Sequence, residues 1–336
     1  MAGPSPRSDV RAQQALLNVL PRSILVDASP DDDDRSELVV AGQVLRVHWV
    51  GEGNLRDVRQ VAAQRKGRPH IVAARRLSPA SREVLSKAGI GWVDETGAAE
   101  IAAGSLVVSR TGHPQQSGGP ARWTPALLAV AEALLCGIRA TVATTEEATG
   151  LSTGSCTAAL RFLTDQGLLT ATAQRGRGSG RRVQDPDRLL DAYVRAVQAE
   201  PPSLRLEVGL LGRDLVGELV ATGRRWARAA VAWAATGSAA AAVLAPYLTA
   251  TGSVEVYVDA DTLPGLETVA ASAALRPLEG GRLTLRPFPT TAVRQLEHKV
   301  AGLHVAPWPR VYVDLQAEGV RGEEAAEHLR ETMHAR

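Results

Sequence analysis

The chain is 336 residues long, which at about 150 residues per domain suggests two domains or three small ones. Apolar residues make up 45% of the sequence and charged residues 22%, values that are typical of globular proteins. The 38 lysines and arginines nearly balance the 36 aspartates and glutamates, leaving a net charge of +2. This balance excludes a polycation, so nucleic-acid binding would require positive charge that is concentrated in one region.

Targeting and cofactor signals are absent from the sequence pattern. The two cysteines, Cys136 and Cys156, fall in predicted helices and match neither a disulfide framework nor a metal-ligand cluster. The N-terminal residues lack the apolar segment of a secretory signal, and polar residues and a proline interrupt the most apolar stretch, 231–248. We therefore expect a cytoplasmic protein with no membrane partner, no bound metal and no cofactor.

Two breaks in composition predict three domains. The segment from Thr111 to Pro120 is rich in Gly, Pro and Gln, which is typical of a linker. A proline pair between Gln198 and Ser203 ends a helix at the second break. The predicted domains are a small N-terminal α/β domain at 1–115, a central domain at 121–200 and a C-terminal α/β domain at 204–336.

The N-terminal domain is predicted to begin with a helix from Asp9 to Leu20, with an apolar stripe that consists of Val10, Leu16, Leu17 and Leu20. The further predicted elements are two strands within 37–50, a helix at 55–66, a strand at 70–74, a helix from 78 to 89, and strands at 91–94 and 106–109. Strand–helix–strand order suggests a restriction-endonuclease-like core. The strand around His48 has neither the carboxylates nor the lysine of a nuclease site, so we expect a degenerate scaffold.

The central domain has the spacing of a helix-turn-helix. A first helix is predicted at 125–136, followed by a short helix at 146–149 that Thr145 would cap and Gly150 would end. A third helix would start at Ser152 or Thr153 and run to Gln166. Its inward-facing residues are predicted to be Cys156, Leu160 and Leu163.

The outward positions of the third helix carry small hydroxyl residues, predicted to act as hydrogen-bond donors, and one arginine, so that the backbone can approach a DNA groove closely. These candidate base-contacting residues are Thr153, Ser155, Thr157 and Arg161.

A hairpin with an Arg/Gly-rich tip at 174–180 follows, and such a tip can enter a minor groove or contact phosphates. The candidate residues there are Arg175, Arg177, Arg181 and Arg182. Residues 151–184 contain five arginines and one aspartate, a local net charge of +4. The block resembles the winged helix-turn-helix of bacterial transcriptional regulators.

The C-terminal domain places Gly237 and Ser238 at a predicted turn from a strand, 230–234, into a helix, 238–248. Nucleotidyltransferases have a Gly-Ser turn there, followed by a strand with two carboxylates at alternate positions that hold magnesium. In the strand at 254–258, a tyrosine replaces the second carboxylate. The remaining candidate carboxylates are Glu255, Asp259 and Asp261. We therefore expect a degenerate, nucleotidyltransferase-like scaffold without catalysis.

Two longer segments, Leu77–Ile101 and Ala306–Leu329, resemble AbiEi-type antitoxins, the DNA-binding members of type IV toxin–antitoxin systems. This resemblance implies a winged-helix repressor of its own operon, with a C-terminal domain that serves toxin neutralisation or cooperative DNA binding. The central position of the predicted winged helix departs from simpler members of that family, which begin with theirs.

The sequence thus predicts an α/β multidomain protein in which a winged helix-turn-helix lies between two degenerate α/β domains. The leading hypothesis is a sequence-specific regulator that binds double-stranded DNA as a homodimer and is not an enzyme. One alternative is an antitoxin that binds a cognate toxin through its C-terminal domain and autoregulates its operon. The other is a magnesium-dependent nucleotidyltransferase.

Overall fold

A computed structural model describes residues 6–21, 24, 26–28, 37–64, 67–103, 106–112, 123–171, 180–247 and 252–335. The chain is a mixed α/β protein that forms two compact units, Met1–Pro120 and Ala121–Arg336. The boundary between the units coincides with the end of the predicted linker. Within the described ranges, no helix combines the length and the apolar character needed to cross a membrane.

The first unit is built on a seven-stranded sheet whose strands follow chain order. Its elements are α1 (Pro6–Val19), β1 (Val26–Ala28), β2 (Glu37–Val40), β3 (Gln43–Trp49), α2 (Leu55–Ala62), β4 (Ile71–Ala74), α3 (Pro79–Lys87), β5 (Gly91–Asp94), β6 (Ala99–Ala103) and β7 (Leu106–Arg110). Strands β3, β4 and β5 are parallel, and the other neighbours are antiparallel. Helices α2 and α3 supply the crossovers that parallel strands require.

Helices cover both faces of this sheet. Helix α1 packs on one face, and α2 and α3 pack on the other. The predicted cap of α3 is confirmed, because the Ser78 hydroxyl accepts a hydrogen bond from the Ser81 N–H at 3.1 Å. The predicted stripe of α1 is correct for Leu16 and Leu20, which are buried, and wrong for Val10 and Leu17, which are exposed. The residues of α1 that face the core are Ala12, Ala15, Leu16, Val19 and, just beyond the helix, Leu20.

The second unit contains the predicted central domain, 121–200, and the predicted C-terminal domain, 204–336, which form the central block and the C-terminal block of this unit. Its elements are α4 (Pro125–Leu135), α5 (Val142–Thr149), α6 (Thr153–Asp165), β8 (Leu169–Ala171), β9 (Arg181–Val183), α7 (Pro186–Gln198), β10 (Leu206–Val208), α8 (Leu215–Arg228), β11 (Trp233–Thr236), α9 (Gly237–Leu244), β12 (Val254–Val258), α10 (Leu263–Ser272), β13 (Leu283–Pro287), α11 (Thr291–Gln295), β14 (His298–Val300), β15 (Leu303–Val305), α12 (Trp308–Gln316) and α13 (Val320–His334). Six strands form a mixed sheet in the order β10-β13-β12-β11-β15-β14, and β8 pairs with β9 in a separate hairpin.

Helices also cover both faces of the six-stranded sheet. On one face, Gly223 of α8 lies so close to Trp233 of β11 that a Cβ at this glycine would approach the indole ring to 2.0 Å. On the other face, the Asp314 carboxylate of α12 accepts hydrogen bonds from the hydroxyls of Thr236 and Tyr257, each at 2.5 Å. The sheet is therefore the centre of the C-terminal block.

The helices of the central block pack on the C-terminal block through a continuous apolar core. Polar contacts reinforce this junction. The Trp308 indole N–H donates to the carbonyl oxygen of Leu135 at 3.2 Å, and the Arg330 guanidinium binds the Asp187 carboxylate at 3.1 Å. The second predicted break, at 198–203, consequently lies inside one compact unit.

Candidate nucleic-acid interface

Three helices, α4, α5 and α6, form a compact group whose boundaries follow from their capping residues. The hydroxyls of Thr124, Thr141 and Ser152 each accept a backbone N–H of the first turn at 3.3 Å. Gly150 ends α5 with a φ of 67°, the left-handed conformation that glycine adopts without a Cβ penalty. The end of α5 at Gly150 and the cap of α6 at Ser152 therefore define the turn between these two helices.

The predicted start of α5 is wrong. Thr145 does not cap a helix, because α5 begins three residues earlier at Val142 with Thr141 as its cap. Thr145 is fully buried, and its hydroxyl donates back to the Thr141 carbonyl at 2.9 Å. Thr141, which comes earlier in the chain, thus caps the free N–H groups of the first turn, and Thr145 packs in the interior of the three-helix group.

One face of α6 is buried and the opposite face is exposed. Cys156, Leu160 and Leu163 are buried as predicted. The exposed positions of the helix include Thr153, Gly154, Thr157, Ala158 and Arg161. The small residues Gly154 and Ala158 were not among the candidate residues, although their size is the signal that permits close approach to a groove.

Ser155 does not join the other three candidate residues of α6. It lies two positions after Thr153, about 200° around the helix, and is half-buried. Its hydroxyl contacts the hydroxyl of the capping residue Ser152 at 3.0 Å. We therefore assign Ser155 to the support of the cap, and Thr153, Thr157 and Arg161 to one side of the helix.

The hydroxyl protons of the two threonines are used inside the protein. Thr153 donates to the carboxylate of Glu146 on α5 at 2.9 and 3.0 Å, and Thr157 donates to the carbonyl oxygen of Thr153 at 2.7 Å. What remains for a ligand is a methyl group and acceptor lone pairs on each threonine. The predicted role of these residues as donors therefore does not fit their contacts.

Arg161 keeps most of its donors. Its side chain is 78% exposed and its Nε lies 3.9 Å from a carboxylate oxygen of Asp165, which is itself 66% exposed. An exposed pair at this distance is weak. Arg161 is thus the charged hydrogen-bond donor on the exposed side of α6 that a ligand can engage.

Two of the predicted arginines, Arg181 and Arg182, lie on opposite faces of the β8–β9 hairpin. In β9, Arg181 lies opposite Ala171 and Arg182 lies opposite Thr170, so their side chains point to opposite faces. The Arg181 Nε donates to the Thr164 hydroxyl of α6 at 3.1 Å, and its backbone N–H donates to the Ala140 carbonyl at 3.2 Å. Arg181 therefore fastens the hairpin to the helices, whereas Arg182 is exposed. The other two candidates, Arg175 and Arg177, lie outside the described residues.

Two further exposed arginines, which were not predicted, lie close to the hairpin and to the end of α6. Arg139 is exposed directly before Ala140, the residue that bridges to Arg181. Arg188 is exposed at the start of α7, and a Cβ at Gly167 would lie 3.9 Å from its Nη2. Both arginines lie outside the segment 151–184, whose charge pointed to the hairpin. Their place beside the hairpin and the end of α6 depends on tertiary packing.

Glu132 of α4 is a carboxylate that is fully buried in the second unit. It accepts hydrogen bonds from the Tyr193 hydroxyl of α7 at 2.6 Å and from the Thr290 hydroxyl that precedes α11. Burial raises the pKa of Glu132 from 4.5 to about 7, opposed by the positive charge of Arg310 and by these hydrogen bonds. One ionisable group therefore joins three elements of the second unit.

Two of the three candidate carboxylates of the C-terminal block are bound to arginines. Glu255 Oε2 lies 3.1 Å from the guanidinium of Arg286, and Asp259 forms a bidentate pair with Arg294 at 3.0 Å. No group of three or more His, Cys, Asp or Glu side chains within the described residues is arranged to hold a metal ion. The exposed Asp261 lies on the loop before α10, away from the strand.

The Gly-Ser turn of the C-terminal block is also filled from within. The Ser238 N–H donates to Oε1 of Glu318 at 2.9 Å, and a Cβ at Gly237 would clash with this oxygen at 2.2 Å. The chain's own carboxylate thus lies where a bound phosphate would meet the start of α9. Comparison with protein-family models, with curated proteins and with solved structures finds no match to this chain.

Proposed function

We propose that the protein is a sequence-specific regulator of transcription that binds double-stranded DNA through a winged helix-turn-helix formed by α4–α6 and the β8–β9 hairpin. The observation that carries this proposal is the exposed side of α6, where small residues surround the lightly paired guanidinium of Arg161. The antiparallel bridge between Ala140 and Arg181 supports it, because it attaches the hairpin to the helices as a wing.

In this proposal α6 enters the major groove, and Arg161 donates to the O6 and N7 atoms of a guanine. The methyl groups of Thr153 and Thr157 suit contact with thymine methyl groups, which needs no donor. Arg182 and the arginines of the hairpin tip bind phosphates or the adjacent minor groove. Two copies of the chain bind two half-sites about one helical turn apart.

The C-terminal block acts in this proposal as a scaffold and not as an enzyme. The arginine partners of Glu255 and Asp259 support this role, because each of these carboxylates is already paired with a guanidinium. Autoregulation of an operon, which the resemblance to AbiEi-type antitoxins implies, is compatible with the same surface.

Selection of duplexes from a random library tests the proposal, followed by affinity measurements on the selected site and on a scrambled site. We expect Arg161→Ala to weaken binding to the selected site about 5- to 160-fold, because one bidentate base contact contributes about 1–3 kcal/mol of discrimination. Binding to the scrambled site should change much less. The matched control is Arg276→Ala, another exposed arginine, located beside β10. Enrichment of no sequence, or equal loss on both sites, would overturn the proposal.

Glu146→Gln is expected to raise DNA affinity about 3- to 10-fold at low salt. The Glu146 carboxylate lies at the start of α6, where it repels phosphates, and the amide keeps a hydrogen-bond acceptor for Thr153. The control is Glu147→Gln, an exposed neighbour on α5. Should Glu146→Gln instead weaken binding to the selected site alone, Glu146 would be a base-contacting residue that accepts from a cytosine.

A further inference from the structure

The short helix α11 of the C-terminal block is fixed against the helix-turn-helix. It packs on both α4 and α5. The Thr290 hydroxyl accepts the Val293 N–H at 3.2 Å as the cap of α11 and donates to the buried Glu132 of α4. The position of α11 is therefore set by contacts at its own start and by the core of the central block.

The end of α11 lies at the turn between α5 and α6. A Cβ at Gly150 would be 3.6 Å from Nε2 of Gln295, the last residue of α11. Gly150 comes two residues before Ser152, the cap of α6. The β8–β9 hairpin, in contrast, follows the other end of α6. Segments of the chain thus lie beside both ends of this helix.

The chain continues from α11 into β14, the last strand of the six-stranded sheet. Both His298 and Lys299 are exposed on this strand. Within the described residues Lys299 forms no ion pair, and the neighbouring Glu297 is bound to His304 at 2.8 Å. The segment from α11 to β14 therefore carries an available positive charge at Lys299, four residues after Gln295, the residue that lies beside the turn before α6.

We propose that the segment of residues 291–300 is a second DNA contact, in which Lys299 binds a backbone phosphate at the side of the major groove opposite to the one held by the hairpin. This inference rests on the proposed function, since it needs α6 in the groove. The major groove is about 12 Å wide and is bordered by a phosphate strand on each side. A helix in the groove with cationic segments at its two ends can engage both strands.

Salt titration of duplex binding is the first test. Lys299→Ala should lower the slope of log affinity against log salt by about 0.9, the contribution of one phosphate contact. The loss should be equal on the selected and the scrambled duplex, because a phosphate contact carries no sequence information. Arg276→Ala, at the opposite edge of the same sheet, should leave the slope unchanged.

A neutral-phosphate scan locates the contact. Single methylphosphonates placed along the selected duplex should reveal one position that weakens binding of the wild-type protein but not of Lys299→Ala, and this position should lie beyond the end of the site bound by the start of α6. Equal slopes for Lys299→Ala, Arg276→Ala and the wild type would overturn the inference while leaving the proposed function intact. A wild-type protein without salt-dependent DNA binding would overturn both.

Discussion

Replacing Arg175, Arg177 and Arg182 together by alanine is expected to reduce the slope of log affinity against log salt by about 3. Each cation that neutralises a phosphate releases condensed counterions and contributes about 0.9 to that slope. Between about 50 and 200 mM salt, the affinity of the wild-type protein should therefore fall about 40-fold more than that of the variant. Fluorescence anisotropy with a labelled duplex at four salt concentrations measures this difference.

The triple lysine variant of the same positions is the matched control, since it keeps all three charges and should keep the slope. Arg181 is left unchanged in both proteins because its guanidinium donates to Thr164, so its loss would remove a contact between the hairpin and α6. Equal slopes for the alanine variant and the wild type would show that the hairpin does not contact phosphates.

Glu132→Gln is expected to remove a pH dependence of the free energy of unfolding on the order of 3 kcal/mol. Because burial raises the pKa of Glu132 from 4.5 to about 7, the folded protein holds a proton there that the unfolded chain releases. The resulting stabilisation is complete below about pH 4.5, is lost as the pH rises towards 7, and stays constant above that. Glutamine keeps polar contacts for Tyr193 and Thr290 but does not titrate.

Urea unfolding of both proteins at pH 5 and at pH 8, followed by tryptophan fluorescence, measures this effect as a difference in which all other titrating groups cancel. The free energy of unfolding of the wild type should fall relative to that of Glu132→Gln as the pH rises. In Tyr193→Phe the pKa of Glu132 should rise further, because the hydroxyl that stabilises the carboxylate is removed. A difference in unfolding free energy between wild type and Glu132→Gln that does not change with pH would contradict the raised pKa of Glu132.

Local signals in the sequence predict many of these elements. The Ser78–Pro79 pair indicates the start of α3, and the alternating residues around Gly42 indicate β2 and β3. The apolar period of α6 correctly predicts its buried residues. The helix α8 is not among the predicted elements, although its buried residues Leu215, Leu219 and Trp226 follow a helical period. The short elements β1, β6, β10, α11, β14 and β15 were not predicted either, because they are stabilised by neighbours that are distant in the sequence.

The candidate surface was predictable only in part. The arginine-rich hairpin and the outward side of α6 follow from charge and helical period. The opposite faces of Arg181 and Arg182 also follow from strand alternation, once β9 is assigned. The pairing of Thr153 with Glu146 and the place of Gln295 beside Gly150 depend on tertiary packing, and no periodicity in the sequence indicates them.

The uninterrupted core that joins residues 121–200 to the six-stranded sheet limits how this protein can change. The helix group α4–α6 shares its apolar interior with the rest of its unit and is not an interchangeable module, because its transfer to another chain would leave α4 and α7 without their packing partners. Under the proposed function, this restricts how the protein can acquire a new DNA specificity. New specificity would therefore arise more readily through substitutions on the outer side of α6 than through exchange of whole segments. For the same reason, an event on the far side of the sheet would reach α6 through the deformation of packed side chains and not through a hinge.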